Sequence, residues 1–213
     1  MIRVLIVDDH PIVRQGVRAE LAKTTDIEVI DEARNADEAI AKARACKPDL
    51  VLLDISLPGK NGYEVLRQLH AEMPESKVLM LSTYPEKQFA VRCLASGAHG
   101  YLTKESAPEE LVIAIRRIAQ GRRYVSTAIA EILAADVGST SGGMPHEDLT
   151  DREFQVLCLL GEGRTVSQIA EILSLSLSTV NTHRAHILEK MKLDTTSQLI
   201  RYAVDNHLVD KSK

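Results

Sequence analysis

The sequence predicts an α/β domain followed by a smaller all-α domain. Up to residue 121, five short apolar stretches alternate with five stretches of helical periodicity. After a Gly/Ser-rich segment at 137–148, only helical periodicity remains. A chain of 213 residues accommodates two such domains. We expect the domains at 1–121 and 148–213, with a helix and a flexible linker at 122–147.

The five predicted strands are short and mostly apolar. Strands 1, 3, 4 and 5 are apolar on both faces, as expected for strands that helices cover on both sides. Because a helix separates each strand from the next, parallel pairing with right-handed crossovers follows. We expect a doubly wound, flavodoxin-like sheet of order 2-1-3-4-5. The strands are predicted at 2–7, 27–30, 50–53, 78–81 and 100–102.

The helices of the first domain are predicted from apolar faces that repeat at helical spacing. The first begins near Pro11, the third follows the turn-rich stretch 58–62, the fourth runs to about Ser96, and the fifth has Pro108 in its first turn. A sixth helical pattern covers 126–135. The expected inward faces are Ile12, Val13, Val17 and Leu21 in the first helix, Ala36, Ala39, Ile40 and Ala43 in the second, and Leu111, Val112, Ile115 and Ile118 in the fifth.

Three capping boxes mark helix starts in the second domain. Thr150, Thr165 and Thr195 are each followed, three residues on, by Glu or Gln. Four short helices are predicted, at 151–161, 166–173, 177–191 and 196–206. Since only three residues join the second to the third, this pair forms a helix-turn-helix.

Composition and net charge argue against some classes of protein and favour others. A net charge of −4 argues against a wholly basic nucleic-acid binder. The absence of a signal-like start and of an apolar run near about 20 residues favours a cytoplasmic protein without a membrane span. Cys46, Cys93 and Cys158 are odd in number, far apart and within apolar patterns, so we expect reduced core thiols.

Acidic residues follow two strands that the predicted order makes neighbours. Asp8 and Asp9 follow strand 1, and Asp54 follows strand 3. Ligands bind at the carboxyl ends of such sheets, and three carboxylates that meet there require a cation. All-oxygen ligands favour Mg²⁺ shared with a phosphate, and a carboxylate is itself a nucleophile toward phosphorus. Lys104 and Ser82, at the ends of strands 5 and 4, would supply a charge and a hydroxyl to the phosphoryl group.

Each of these residues has a simpler interpretation when taken alone. An Asp after a strand is often a turn residue. Ser82 would serve equally as a helix N-cap, Lys104 as a surface lysine, and Tyr101 as core packing. They indicate a functional site only because they are predicted to lie close to one another. Neither GxGxxG nor GxxxxGK[ST] occurs, which argues against a bound nucleotide.

Residues 1–121 resemble the receiver domain of two-component response regulators. The resemblance implies that a sensor histidine kinase or phosphotransfer protein phosphorylates Asp54. It also implies Mg²⁺ bound by Asp9, Asp54 and the backbone carbonyl of Ser56, with Asp8 nearby. The strings that carry the resemblance are Val7-Asp8-Asp9-His10, Leu53-Asp54-Ile55, Leu81-Ser82 and Tyr101-Leu102-Thr103-Lys104.

The same resemblance implies a conformational switch. In receivers a hydroxyl residue, here Ser82, turns toward the phosphoryl group while an aromatic residue, here Tyr101, moves inward. One departure concerns the loop after Lys104, because many receivers have Pro there and this chain has Glu105.

The second helix of a helix-turn-helix lies in the major groove of DNA. In the predicted helix at 177–191, Val180, Ile187, Leu188 and Met191 are the expected inward residues. Asn181 and Arg184 then share an outer face, where Asn suits adenine and Arg suits guanine. Lys190 and Lys192 suit phosphates. The alternative is a protein-binding helical domain, since 148–213 holds eight Lys/Arg against nine Asp/Glu.

Residues 147–207 resemble the LuxR-type helix-turn-helix of NarL/FixJ response regulators. Asn181 stands where family members often carry Lys, so their base preference does not transfer. The carrying residues are Leu149 to Glu153, Ile169-Ala170, Ser178-Thr179-Val180, His183 and Lys190 to Leu193. The candidate DNA contacts are Ser178, Thr179, Asn181, Thr182, Arg184, Ala185, Lys190 and Lys192. The candidate dimerisation residues, on one face of the last helix, are Leu199, Ile200, Ala203 and Val204.

The sequence as a whole predicts a phosphorylation-controlled transcriptional regulator rather than an enzyme. Its expected partners are promoter DNA, a sensor kinase, RNA polymerase and a second copy of the chain. One alternative is a Mg²⁺-dependent phosphatase with an aspartyl nucleophile. Against it, strand 1 ends in Asp-Asp-His, without a second acid two residues after the nucleophile. Another alternative is a receiver fused to a protein-binding helical domain.

Overall fold

A computed structural model describes residues 1–58, 60–84, 86–127, 129–131, 144–206 and 208–209. The chain forms two compact units, Met1–Gly138 and Ser139–Lys213. No helix within the described ranges is both long and apolar enough to cross a membrane.

The first unit alternates strands and helices, as predicted. The strands are β1 (Ile2–Val7), β2 (Ile27–Ala33), β3 (Leu50–Asp54), β4 (Lys77–Ser82) and β5 (Gly100–Thr103). The helices are α1 (Pro11–Leu21), α2 (Ala36–Cys46), α3 (Gly62–Glu72), α4 (Glu86–Ala95) and α5 (Pro108–Ala119).

The five strands form one parallel sheet of order β2-β1-β3-β4-β5, which confirms the predicted topology. The register aligns the strand ends, because Val7 pairs with Leu53, Asp54 with Leu81 and Ser82 with Thr103. The residues that end or follow β1, β3, β4 and β5 therefore share one edge of the sheet.

One face of the sheet packs against α1 and α5. The inward faces predicted for α2 and α5 are buried in full. The prediction for α1 was wrong at Ile12, which is 83% exposed, while Val17 and Leu21 are buried. Leu21 is nine positions after Ile12, which corresponds to two and a half helical turns, so these two side chains point in opposite directions.

The chain returns to the sheet after α5, which the sequence did not indicate. Tyr124 forms an isolated bridge with Gly100, and its N–H donates to the carbonyl oxygen of His99 at 2.9 Å. Of the helix predicted at 126–135, residues 127 and 129–131 are described and helical. Of the linker predicted at 137–148, residues 137–143 lie outside the described residues, and Pro145–Asp148 is a short 3-10 turn.

The second unit contains α6 (Asp151–Gly161), α7 (Val166–Ile172), α8 (Leu177–Met191) and α9 (Thr196–Asp205). All three predicted capping boxes, at Thr150, Thr165 and Thr195, are present with both reciprocal hydrogen bonds. Only residues 173–176 separate α7 from α8, which gives the helix-turn-helix. Of the inward face predicted for α8, three residues are buried and Leu188 is half-buried.

Candidate functional site

The carboxyl edge of the sheet brings together the charged residues that the sequence singled out. Asp8 directly follows β1, Asp54 is the last residue of β3, and Lys104 directly follows β5. The Lys104 Nζ lies 2.7 Å from the Asp8 Oδ2 and 2.7 Å from the Asp54 Oδ2. Both aspartates are about 1% exposed and the Lys104 side chain is 10% exposed. One ammonium thus neutralises part of the charge of two buried carboxylates.

Burial and charge shift the protonation equilibria of this pocket. Burial raises the pKa of Asp54, and the nearby Asp8 adds to this effect, against the opposing attraction of Lys104. Burial would lower the pKa of Lys104, but its attraction to Asp54 and Asp8 outweighs burial and raises the pKa. Lys104 is therefore a permanent cation beside the carboxylate oxygens.

The backbone around Asp54 fixes the orientation of its carboxylate. The Ser56 N–H donates to the Asp54 Oδ1 at 3.0 Å, which leaves Oδ2 to Lys104. Gly62, at the start of α3, donates its N–H to the Ile55 carbonyl at 2.9 Å. A Cβ on Gly62 would lie 2.2 Å from the Asp54 carbonyl oxygen, so this approach requires glycine. The requirement was not apparent from the turn-rich sequence alone.

The third aspartate is paired with a residue that the sequence analysis did not assign to the site. Asp9 is partly exposed, and its Oδ1 lies 2.7 Å from the Nδ1 of His10. One ligand atom each from Asp8, Asp9, His10 and Asp54 lie within 4.8 Å of one another. Three carboxylates at this spacing fit the oxygen ligands that Mg²⁺ prefers.

The two predicted switch residues lie in the protein interior next to the pocket. Ser82 ends β4, and its Oγ accepts a hydrogen bond from the Tyr84 N–H at 3.0 Å. The Tyr101 hydroxyl donates to the Tyr84 carbonyl at 2.8 Å, and the ring is fully buried. Burial raises the pKa of Tyr101. Both side chains therefore engage the segment that leads from β4 into α4.

The loop after Lys104 closes without the proline that many receivers carry. The Lys104 N–H donates to the Ser82 carbonyl at 2.7 Å, and the Ser106 N–H donates to the Thr103 carbonyl at 3.0 Å. Glu105 is exposed, and none of the described peptide bonds is cis. Backbone hydrogen bonds thus hold Lys104 in place.

Helix α8 presents a small polar surface at its N-terminal half. Ser178, Asn181, Thr182 and Ala185 are exposed, whereas Thr179 and Arg184 are half-buried. The Ser176 Oγ caps the helix by accepting from the Thr179 N–H at 3.1 Å. This surface has the side-chain chemistry that reads base edges in the major groove.

The two lysines that were predicted to contact phosphates have different surroundings in the structure. The Lys190 Nζ lies 2.7 Å from the Glu153 Oε2, whose side chain is only 4% exposed. Burial works to raise the pKa of Glu153, but hydrogen bonds from Lys190 and Thr150 outweigh it and lower the pKa. Lys192 is exposed and ends α8 in a left-handed conformation. Lys190 therefore anchors α8 to α6, and Lys192 is the freer cation.

The dimerisation face predicted on α9 needs correction. Leu199 and Ala203 are fully buried within their own unit, because α9 packs on α6. A Cβ on Gly161 of α6 would lie 2.7 Å from the Ala203 Cβ, which shows how closely the two helices approach. Ile200 and Val204 remain partly exposed. Only these two of the four residues offer surface to a partner.

Comparison with known proteins supports the same two parts. Residues 4–116 match the response regulator receiver domain, and residues 147–203 match the bacterial regulatory proteins of the luxR family. The chain is 39% identical to the response regulator GacA of Pseudomonas protegens, over 100% of both chains. It is 36% identical to the transcriptional regulatory protein LiaR of Bacillus subtilis, over 99% of this chain and 100% of LiaR.

A solved structure resembles the chain over both parts. It is that of the response regulator ChrA of a heme-sensing two-component system, which is 33% identical. The match has a TM-score of 0.52 and covers 97% of this chain and 98% of that one.

Proposed function

This chain belongs to the two-component response regulators of the NarL/FixJ type, which are transcriptional regulators, and from that premise we propose that phosphorylation of Asp54 controls its binding to promoter DNA. The observation that carries the proposal is the pocket in which Lys104 contacts both Asp8 and Asp54 at 2.7 Å. We assign the receiver to 1–121, the helix and linker to 122–147, and the DNA-binding domain to 148–213.

The chemistry of the pocket suits transfer of a phosphoryl group to a carboxylate. An oxygen of Asp54 attacks phosphorus, the bond from phosphorus to the donor nitrogen of a kinase histidine breaks, and an acyl phosphate forms. Lys104 offsets the negative charge of the incoming group. Ser82 lies at the end of the neighbouring strand, where its hydroxyl supplies a hydrogen-bond donor once it leaves the Tyr84 N–H.

We assign a Mg²⁺ ion to Asp9, Asp54 and the Ser56 carbonyl, with Asp8 nearby. The ion would supply charge neutralisation at the transferred phosphoryl oxygens. Asp9 and His10 are at the exposed rim, so the ion can enter from solvent. The protein would load one phosphoryl group and lose it slowly, unlike a phosphatase that turns over a separate substrate.

Phosphorylation would shift the receiver between two pre-existing states and so bias dimer formation. Dimerisation raises the local concentration of the second DNA-binding domain at paired half-sites. Ile200 and Val204 are the remaining candidates for contacts between the two DNA-binding domains. The proposal also includes contact with RNA polymerase. It further includes a cytoplasmic location, where promoter DNA is found.

Labelling with acetyl phosphate and Mg²⁺ tests the phosphoacceptor. Intact-mass measurement should find one added phosphoryl group on the wild-type protein and none on Asp54→Asn. Asp37→Asn, which changes an exposed carboxylate on α2, is the matched control and should label like wild type. Equal labelling of wild type and Asp54→Asn would refute the assignment.

A further inference from the structure

His10 lies at the rim of the carboxylate pocket, between the end of β1 and the first turn of α1. It occupies the N-cap position of α1, where Ser, Thr, Asp or Asn usually caps the helix with its side chain. The His10 side chain makes no such hydrogen bond. Its backbone N–H instead donates to the Asp8 Oδ1 at 2.8 Å. The His10 side chain is therefore not used to cap the helix.

The imidazole ring also faces the pocket. Its Nδ1 lies 2.7 Å from the Asp9 Oδ1 and 3.1 Å from the Asp8 Oδ1. The ring is 60% exposed, so hydrophobic packing does not account for its orientation. One ligand atom from His10 and one from each of the three aspartates lie within 4.8 Å of one another. Ligands of a single ion at about 2.1 Å are separated by about 3–4 Å, so a small inward movement brings all four into range.

We propose that His10 is a nitrogen ligand of the divalent-cation site and makes that site favour Mn²⁺ or Co²⁺ over Mg²⁺. The inference rests on the proposed function, which assigns the ion to Asp9 and Asp54. Without an ion, Nδ1 carries the proton that it donates to the Asp9 and Asp8 carboxylates. When an ion binds, Nδ1 releases this proton to solvent, Nε2 takes one up, and the Nδ1 lone pair becomes available to the ion. Imidazole is a good ligand for first-row transition ions, whereas Mg²⁺ prefers oxygen and retains water.

The sequence offers a variant that removes the nitrogen ligand and preserves the fold. His10→Asn places a preferred N-cap residue before Pro11 and keeps the backbone N–H that Asp8 accepts. His70→Asn, which changes an exposed histidine on α3, is the matched control. Thermal unfolding of both variants with EDTA should stay close to wild type, which separates a ligand role from a structural one.

The decisive experiment measures Mn²⁺ and Mg²⁺ affinities of the full-length protein by calorimetry, together with pulsed electron paramagnetic resonance of bound Mn²⁺. Wild type and His70→Asn should show coupling of Mn²⁺ to a ring nitrogen. His10→Asn should lose that coupling and about tenfold in Mn²⁺ affinity, while its Mg²⁺ affinity changes little.

Four outcomes would overturn the inference. Wild-type Mn²⁺ without nitrogen coupling would exclude the ligand, and an equal loss of affinity for both ions in His10→Asn would indicate a structural role. If Asp54→Asn weakens binding of both ions while His10→Asn changes nothing, only the role of His10 fails. If neither ion binds the wild type, the Mg²⁺ site of the proposed function fails with it.

Discussion

The carboxylate pocket and the proposed DNA-reading surface of α8 use charge in opposite ways. In the pocket, the functional charges are buried, and Asp8, Asp54 and Lys104 are one another's main electrostatic partners. In the second unit, the α8 residues that would contact DNA are exposed or half-buried, whereas Glu153, on α6, is buried. Function and stability thus depend on the same contacts in the first unit and on different residues in the second.

The strongest test of this comparison is removal of the buried cation. Lys104→Met leaves Asp8 and Asp54 without their counterion, so the receiver should lose about 3–5 kcal/mol of unfolding free energy. Added Mg²⁺ should restore part of the loss by replacing the missing charge. Urea denaturation with and without Mg²⁺ measures both effects. Lys60→Met is the control, because its pair with Asp37 is exposed and should contribute nothing measurable.

Tight packing around a glycine should matter in both units. The two units therefore differ in their use of charge and not in this respect. Gly62→Ala forces a Cβ against the Asp54 carbonyl, and Gly161→Ala forces one against Ala203 and Val209. We expect each to cost about 1–3 kcal/mol by overpacking. Gly16→Ala is the control in α1, where a Cβ meets nothing within 4 Å, and it should stabilise by about 0.5–1 kcal/mol. Thermal denaturation would detect all three, and a neutral Gly62→Ala would contradict the packing described.

Acid should destabilise the two units over different pH ranges. Burial, with the nearby charges of Lys77 and Arg123, lowers the pKa of His99 from 6.5 to about 4. Because the unfolded chain takes up this proton more readily, the receiver should lose stability as pH falls from about 6.5 toward 4. We expect about 2 kcal/mol, below the full linkage value because the ring is only half-buried.

Glu153 gives the corresponding effect in the second unit at lower pH. Its pKa lies below the ordinary value of 4.5, so its contribution is complete above 4.5 and is lost only below it. Hydrogen exchange resolved by residue, measured between pH 7 and about 3, would separate the units. His99→Asn keeps an acceptor for the Val78 N–H and should flatten the pH dependence of the receiver alone. A receiver whose pH profile is unchanged by this substitution would contradict the assignment.

The smallest effects should come from the exposed surface of α8. Arg184→Ala or Asn181→Ala should cost about 1–2 kcal/mol at the cognate site and relax base selectivity. Lys192→Ala should weaken binding to all sequences alike and reduce the salt dependence. Lys190→Ala should instead lower the stability of the second unit, because it removes the lysine that pairs with the buried Glu153 carboxylate. Gel shifts at several salt concentrations, with urea denaturation, distinguish these outcomes.

The sequence predicted the features that follow from periodicity and local hydrogen bonding. Strand alternation led to the sheet order, and hence to Asp8, Asp54 and Lys104 at one edge. Capping boxes depend on residues three apart, so Thr150, Thr165 and Thr195 were predicted correctly.

Contacts between residues distant in the chain could not be predicted in this way. The burial of Leu199 and Ala203 depends on the approach of α6, and the role of Lys190 depends on Glu153, 37 residues earlier. Gly62 is required by a carbonyl at position 54. His10 is adjacent to the acidic pair, but its ring orientation is a rotamer, which periodicity does not specify.

The central claim is that a phosphoryl group on Asp54 controls DNA binding. The most direct measurement is a titration of full-length protein against a genomic fragment that the phosphorylated protein captures, with sedimentation of the complex. Acetyl phosphate and Mg²⁺ should tighten binding by wild type and produce a dimer on the DNA, and should leave Asp54→Asn at the unphosphorylated level. Equal tightening of Asp54→Asn, or wild-type labelling without any change in affinity, would contradict the claim.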